Sequence, residues 1–164
     1  MTLKIKFKKL SENAILPTKS YEKEKNCWDL YAAKDVEIHS FKSTLVPTDL
    51  AFEIPDSYQI HLYNRSSMPL KKGLILSNSV GIIDTSYRGN IQGLFHTLPR
   101  QEDLHQGNST MLPEYFLADN PVIIHKGDKI MQMKLIPILD EELEEVEELS
   151  ETTRGEGGFG SSSL

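Results

Sequence analysis

Three side chains between Gly73 and Gly89 have chemistry that suits a nucleotide. The amide of Asn78 can both donate and accept hydrogen bonds, as the edge of a pyrimidine requires. Asp84 follows an apolar run, so we expect its carboxylate to lie against a dry wall, where it could orient a water molecule as a general base. Tyr87 offers a flat face to a sugar. A hairpin in which Asn78 and Asp84 only cap turns is the alternative explanation of the same pattern.

The glycine-rich tail from Arg154 to Ser163 is a second segment with binding chemistry. Its closely spaced glycines let backbone N–H groups approach phosphate oxygens, and its serines add hydroxyl donors. Arg154 supplies a guanidinium suited to phosphate, and Phe159 could stack on a base. A Walker loop or a dinucleotide fingerprint would need a following helix, which this segment lacks. The tail is therefore either a flap that becomes ordered on its ligand or a disordered terminus.

The elements that must position these residues are short strands. Leu3, Ile5 and Phe7 alternate with lysines, which predicts a half-buried strand. Similar runs follow at Tyr58 to Tyr63, Asn90 to His96 and Lys129 to Ile136, separated by segments of turn composition. Many short strands with turns between them predict an antiparallel sandwich, jelly roll or barrel.

Two stretches break this pattern. Leu98 to Pro121 has little periodicity, so we expect a long loop that is either functional or disordered. The acidic run from Asp140 to Leu149 has apolar residues at helical spacing. Its carboxylates are typical of a solvated face, because a charge run does not supply the convergent geometry of a metal site.

Composition restricts the class of protein. The chain has 164 residues, of which 38% are hydrophobic and 26% charged, as expected of one globular domain. A net charge of -6 argues against stable nucleic-acid binding. No run approaches the roughly 20 apolar residues of a membrane span, and the N-terminus lacks an apolar signal core. Cys27, the only cysteine, is compatible with a reducing compartment. We therefore expect a cytoplasmic protein, or one of the host cytoplasm if its source is a phage or virus.

Five segments, in order along nearly the whole chain, resemble the motifs of the trimeric dUTPase family. The family's Ala-Gly-x-Asp-Leu is similar to the stretch from Asn26 to Ala33, and its Arg-Ser-Gly is similar to Arg65-Ser66-Ser67. The Asn, Asp and Tyr of its third motif fall on Asn78, Asp84 and Tyr87. Its Gly-Asp-Arg-Ile-Ala-Gln resembles the segment from Gly127 to Gln132, and its fifth motif resembles the tail from Arg154 to Ser162.

The resemblance implies an all-β fold, a jelly-roll barrel or sandwich with an extended C-terminal arm and a flexible glycine-rich tail. Residues 1–139 would form the jelly-roll domain, with an insertion near 98–121 where the family has a shorter connection. Residues 140–153 would form an acidic crossing arm, so we expect no helix there. Residues 154–164 would form a lid over the active site. The chain would assemble as a homotrimer with active sites at the subunit interfaces.

The resemblance also implies hydrolysis of dUTP to dUMP and pyrophosphate, which limits uracil in DNA and supplies dUMP for dTMP synthesis. Asp84 would activate the water that attacks the α-phosphorus. Asn78 and the backbone from Gly81 through Ile82 to Ile83 would recognise uracil on a β-hairpin too narrow for the methyl group of thymine. Tyr87 would pack under the deoxyribose and exclude a 2′-hydroxyl.

The same resemblance assigns the phosphates to Arg65, Ser66, Ser67 and Gln132, together with a Mg²⁺ held mainly through phosphate oxygens and water. No residue is expected to bind the metal directly, and Asp29 would lie near the metal–phosphate site or support its neighbours. The tail of a neighbouring subunit would contribute five residues, Arg154, Phe159, Gly160, Ser161 and Ser162.

The chain departs from the family motifs at Cys27 and Trp28 in the first motif and at Ser67 in the second. Arg65-Ser66-Ser67 also resembles the related dCTP deaminases, which use a glutamate on the strand after the third motif. The stretch from Ile91 to Phe95 has no acid, which argues against deamination. A third hypothesis is a dUTPase that also regulates a protein partner through the 98–121 insertion.

Overall fold

A computed structural model describes residues 3–19, 27–40, 42–98 and 121–157, together with the backbone of 104–106 and 115–117. These residues form thirteen β-strands and one helical turn, Met68–Lys72. The strands are β1 Lys6–Lys9, β2 Trp28–Tyr31, β3 Val36–Ile38, β4 Thr44–Pro47, β5 Leu50–Glu53, β6 Tyr58–Asn64, β7 Leu74–Leu76, β8 Val80–Ile83, β9 Gln92–Thr97, β10 Leu104–Gln106, β11 Tyr115–Leu117, β12 Val122–Ile124 and β13 Lys129–Pro137. The all-β, jelly-roll-like fold predicted from the sequence is confirmed.

Two antiparallel sheets carry the candidate site. One has four strands in the order β2-β13-β6-β8, and the other has three in the order β4-β9-β7. Smaller pairs join β1 to β5 and β3 to β12. Side chains from both larger sheets share one buried cluster that includes Leu30, Ile60, Leu74 and Phe95. Burial of this apolar surface is the main force that holds the two sheets together.

Alternation along the strands is confirmed where a strand has a buried face. Every second residue of β9 is buried, and β6 and β13 span the runs predicted at Tyr58 and Lys129. The first strand is shorter than predicted, since β1 begins only at Lys6. Leu3 and Phe7 each stay 48% exposed, and of the three alternating apolar residues Ile5 is the one packed against the core.

The two irregular stretches have different outcomes. The expectation of a loop from Leu98 to Pro121 is wrong for six residues, because β10 and β11 pair in an antiparallel hairpin. Most of the remainder lies outside the described residues. The acidic run forms no helix, and residues 137–156 are exposed at every position. The expectation that this run forms no helix is therefore confirmed. Among the described residues, no helical segment has the length and apolar character that a membrane span requires.

Candidate active site

Asp84 lies at the end of β8, in a pocket where the two larger sheets meet. The pocket has a volume of about 300 Å³. Its lining combines residues 82–84, 87 and 90 with two side chains from the three-stranded sheet, Leu45 and Gln92. Ile82 and Ile83 form the apolar wall expected beside the carboxylate, but Ile82 is 57% exposed and Asp84 itself is exposed. In a single chain this wall is therefore open to solvent.

Asn78 occupies a turn that passes from one sheet to the other. The β-hairpin expected here is not formed, because β7 pairs with β9 while β8 pairs with β6. Ser79 has a left-handed backbone (φ 61°), and its N–H donates to the Leu76 carbonyl at 3.0 Å, which redirects the chain between the sheets. Asn78 therefore lies in a tight turn between the two sheets, exposed to solvent and next to β8.

Neither Asn78 nor Asp84 serves as a side-chain cap for a turn. Among the described residues, the turn from Leu76 to Val80 and the bend from Asp84 to Tyr87 are held by backbone hydrogen bonds. The amide and the carboxylate both reach solvent. The turn-capping alternative therefore does not account for these two side chains, and both are accessible from solvent.

Gly81 lets β8 lie close to its neighbour. A Cβ at this position would stand 3.1 Å from Leu62 Cβ and 3.5 Å from Asn78 Nδ2. The first distance is tighter than ordinary van der Waals contact, so a larger residue would push β8 away from β6. The strand that carries Ile82 and Ile83 is thereby kept next to the Asn78 turn.

A buried carboxylate, Asp29, organises a second group of site residues, which we call the Asp29 cluster: Asp29, Arg65, Lys129 and Gln132. The Asp29 side chain is 1% exposed. Lys129 Nζ donates to Oδ2 at 2.9 Å, and Gln132 Nε2 donates to Oδ1 at 3.1 Å. Arg65 Nε lies 3.2 Å from Oδ1, an ion pair whose geometry is not that of an aligned hydrogen bond. A buried charge needs such partners, and here they come from two further segments of the chain.

A β-bulge explains how Lys129 reaches the cluster. Gln132 lies directly opposite Asp29 in the pairing of β13 with β2. Residues three apart on a regular strand face opposite sides, so Lys129 would point away from Asp29. The register shifts between Lys129 and Met131, which places both polar side chains on the Asp29 side. The hydrogen bond with Asp29 holds the pKa of Lys129 above its ordinary value, so the cluster keeps its ammonium charge.

Ser66 and Ser67 follow Arg65 at the start of the helical turn. Ser67 has φ -71° and ψ -21°, an ordinary right-handed conformation, so a serine fits without backbone strain where the related motif has glycine. Arg65 Nη1 donates to the Lys129 carbonyl at 3.0 Å, and the side chain is 24% exposed. The second motif is thus tied to the fourth, while part of the Arg65 side chain still reaches solvent.

The departures at Cys27 and Trp28 leave Asp29 in place. Trp28 is 37% exposed, with Lys19 Nζ 4.7 Å from its ring centroid, whereas Asp29 and Leu30 are both buried. The bulky indole therefore packs away from the cluster. The contacts of Asp29 with Arg65, Lys129 and Gln132 are those of a side chain that holds its neighbours in place. Lys129 was not predicted as a site residue, although it stands where the related motif has arginine.

The Asp84 pocket and the Asp29 cluster lie at opposite ends of β6. Ile60 is paired with Ile83, immediately before Asp84, and Arg65 follows the other end of the strand. Ile60 and Arg65 are five steps apart along the extended chain, which corresponds to roughly 17 Å. One chain therefore contributes a carboxylate at one end of the strand and a basic and amide group at the other.

The tail is described only at its start. Arg154 Nε donates to the Gly157 carbonyl at 2.7 Å in an exposed turn, and Arg154 does not line the Asp84 pocket. The other predicted tail residues, Phe159, Gly160, Ser161 and Ser162, lie outside the described residues. Among the described residues, no group of three His, Cys, Asp or Glu side chains is placed to hold a metal ion.

An all-β protein with a carboxylate pocket, an amide beside it and a separate basic cluster has the parts of a nucleotide hydrolase. The dUTPase family model matches residues 12–101 and 114–163. The deoxyuridine 5'-triphosphate nucleotidohydrolase of Hydrogenobaculum sp. is 37% identical over 99% of both chains. That of Gloeothece citriformis is 36% identical over 99% of this chain and 98% of its own.

Solved structures agree with the sequence comparison. A mutant dUTPase of Staphylococcus bacteriophage 80alpha, with dUpNHpp, matches at a TM-score of 0.80 and 28% identity, over 99% of this chain and all (100%) of that chain. A mutant dUTPase from phage phi11 of S. aureus, described with a structural Mg(II) ion, matches at a TM-score of 0.71 and 26% identity, over 89% and 98% of the two chains. The chain belongs to the dUTPase family.

Proposed function

We propose that this chain hydrolyses dUTP to dUMP and pyrophosphate, as a dUTP diphosphatase. The observation that carries the proposal is Asp84, a solvent-accessible carboxylate beside the apolar wall of Ile82 and Ile83 in a chain of this family. Asp84 orients a water molecule and accepts its proton. The water oxygen bonds to the α-phosphorus while the bond from that phosphorus to the bridging oxygen breaks, and pyrophosphate leaves.

The base and sugar bind around β8. Asn78 and the backbone of Gly81, Ile82 and Ile83 bind the uracil edge. Gly81 lets β8 lie close to β6, which keeps that backbone beside the Asn78 turn. Tyr87, which is 44% exposed, packs against the deoxyribose. These contacts supply the orientation that phosphoanhydride cleavage needs more than covalent catalysis.

The Asp29 cluster binds the phosphates. Arg65 and Gln132, with Ser66 and Ser67 beside them, supply donors to phosphate oxygens. Asp29 is a positioning residue there, because its oxygens hold Arg65, Lys129 and Gln132 in one arrangement. Donors that are already held in place bind the phosphates without the cost of being ordered first.

A Mg²⁺ carried by the phosphates and by water fits this donor set. Both oxygens of Asp29 are engaged by cationic and amide groups, so Asp29 is not free to act as a metal ligand. A phosphate-borne Mg²⁺ would neutralise charge on the triphosphate. The residues of this chain would bind that complex through its phosphate oxygens.

We propose a homotrimer with active sites shared between subunits. The separation of Asp84 from Arg65 along β6 supports a site completed by a second copy. The acidic arm, residues 140–153, supports it too, since Leu139, Leu143 and Leu149 are 74%, 99% and 86% exposed, and such side chains are usually covered in an assembly. Residues 154–164 then close over a neighbouring subunit's nucleotide, with Arg154, Phe159, Gly160, Ser161 and Ser162 as ligands.

Three expectations stay predictions. They are the extent of the jelly-roll domain (residues 1–139), the 98–121 insertion as a surface for a protein partner, and a cytoplasmic location. The family model leaves residues 102–113 unmatched, which supports an insertion in this region. A pull-down with the insertion deleted tests the partner, and an unchanged set of bound proteins would remove the reason for proposing it.

Pyrophosphate release from dUTP, dCTP, dTTP and UTP tests the function. We expect a strong preference for dUTP, and Asp84→Asn should lower its turnover by roughly 10²–10⁴-fold, the usual contribution of a positioned general base. Asp56→Asn, an exposed carboxylate in the turn after β5, is the matched control and should keep full activity. Equal use of the four nucleotides, full turnover by Asp84→Asn, or ammonia release from dCTP would overturn the proposal.

A further inference from the structure

A chain of hydrogen bonds runs from the N-terminal segment to the rim of the Asp84 pocket. Its centre is Asp49, in the turn between β4 and β5. Asp49 Oδ2 accepts from Ser11 Oγ at 2.6 Å, and Oδ1 accepts from Asn90 Nδ2 at 2.8 Å. The backbone of Asp49 is left-handed, with φ 53°, a conformation that aspartate tolerates better than most residues.

This network fixes the orientation of Asn90. A carboxylate only accepts hydrogen bonds, so the NH₂ group of Asn90 must face Asp49. The Oδ1 of Asn90 is buried and has no hydrogen-bond partner among the described residues. Leaving a buried acceptor unpaired costs free energy, so stability alone does not explain this amide. The hydrogen bond from Asn90 to Asp49 instead fixes the position of the Asn90 backbone.

The backbone of Asn90 in turn holds Tyr87. The Tyr87 hydroxyl donates to the Asn90 carbonyl at 3.1 Å. The tyrosine ring folds over Gly89, where an added Cβ would overlap the ring. Tyr87 is thus restrained beneath its ring and at its tip, while its remaining surface is exposed at the pocket.

We propose that Asp49 is a positioning residue that sets discrimination between deoxyribose and ribose, acting through Asn90 on Tyr87. The inference rests on the proposed function, in which Tyr87 packs against the sugar. To exclude the additional hydroxyl of a ribose, the Tyr87 side chain must be held rigidly, because a displacement of about 1 Å changes the fit substantially. Asp49 supplies that rigidity from outside the pocket, which it does not line.

The test is the ratio of kcat/KM for dUTP to that for UTP, measured by pyrophosphate release. Asp49→Gly removes both side-chain hydrogen bonds, while glycine adopts a positive φ readily and should leave the turn folded. We expect the ratio to fall by roughly 5- to 30-fold, which corresponds to a change of about 1–2 kcal/mol in discrimination. Asp49→Asn keeps an oxygen for Asn90 and tolerates the same backbone, so it should restore most of the ratio.

Two comparisons separate positioning from a structural role. Ser57→Gly makes the same kind of change at a left-handed residue (φ 62°) in another turn and should leave the ratio unchanged. Tyr87→Phe removes the hydroxyl that donates to the Asn90 carbonyl, and with it the contact through which Asp49 acts on the ring. Adding Asp49→Gly to Tyr87→Phe should therefore lower the ratio little further. A wild-type ratio in folded Asp49→Gly, an equal loss in Ser57→Gly, or additive losses in the double variant would overturn the inference.

Failure of the proposed function gives a different result. If the wild-type chain releases no pyrophosphate from dUTP, both the function and this inference fail. If the wild type prefers dUTP strongly and Asp49→Gly retains that preference, only the role of Asp49 is wrong.

Discussion

Asp29 and Asp84 are carboxylates in opposite environments, because Asp29 is buried and Asp84 is exposed. The Asp29 side chain is buried, and its two oxygens contact Arg65, Lys129 and Gln132. It is therefore not placed to accept a proton from a water molecule. Asp84 is exposed at a pocket with an apolar wall. Groups of the same type acquire different roles when their surroundings differ, so Asp84 is suited to act as a base and Asp29 to hold donors in place.

Asp29→Asn tests that division at the residue scale. The substitution keeps the shape of the side chain and removes the charge that three donors share. We expect a loss of about 1.5–3 kcal/mol in the free energy of unfolding, as for hydrogen bonds to a charged group. KM for dUTP should rise more than kcat falls, because the phosphate ligands lose their arrangement while Asp84 is untouched. Denaturant unfolding and steady-state kinetics measure both effects.

Asp56→Asn serves as the control for the same chemical change at an exposed site. A fall in kcat with an unchanged KM in Asp29→Asn would contradict the positioning role, since it would place Asp29 in the chemical step.

At the scale of elements, the sequence predicts strands where alternation coincides with one buried face. This condition holds for β6, β9 and β13, and fails for residues 3–5, which precede β1 without pairing. The Asn78 turn could not be predicted, since its form depends on β7 and β8 having partners in different sheets. The bulge that turns Lys129 toward Asp29 is equally a product of pairing with β2, which local sequence does not report.

One ion pair joins the helical turn to the turn before β13. Lys72 Nζ donates to Asp128 Oδ2 at 2.8 Å, and the His125 amide donates to the same oxygen at 3.1 Å. Burial is the largest single influence and raises the pKa of Asp128, but the hydrogen bonds from Lys72 and His125 and the nearby charges together bring it below its ordinary value of 3.8. The ionised carboxylate therefore stabilises the fold.

This stabilisation has a defined pH dependence. Because the pKa of Asp128 is lower in the folded chain, its contribution is complete above the ordinary value of 3.8 and is lost as the pH falls through the folded pKa. Asp128→Asn should lower Tm at neutral pH, and the difference from wild type should shrink as the pH falls below 3.8 and through the lower folded pKa. Thermal unfolding across this range measures it, with Lys72→Met expected to reduce the same dependence. A Tm difference that does not vary with pH would contradict the assignment.

At the scale of the whole molecule, the single chain leaves apolar surface uncovered around its functional parts. Ile82 at the pocket and Leu45 beside it are 57% and 53% exposed, and the leucines of the arm are exposed further. The motifs could be matched along the sequence, but their distribution between the two ends of β6 is visible only in the fold. An exposed apolar wall beside Asp84 and the Asp29 cluster at the other end of β6 are what the proposed shared site requires.

Mixing two inactive variants tests whether the site is shared. Asp84→Asn lacks the proposed base, and Arg65→Ala lacks a proposed phosphate ligand, so each alone should have little activity. If Asp84 of one subunit works with Arg65 of another, random reassembly of equal amounts restores both groups in about one quarter of the sites of a closed ring. Pyrophosphate release after joint unfolding and refolding should then approach that fraction of the wild-type rate. If both residues act within one chain, no mixed assembly contains an intact site, and activity stays at the level of the separate variants.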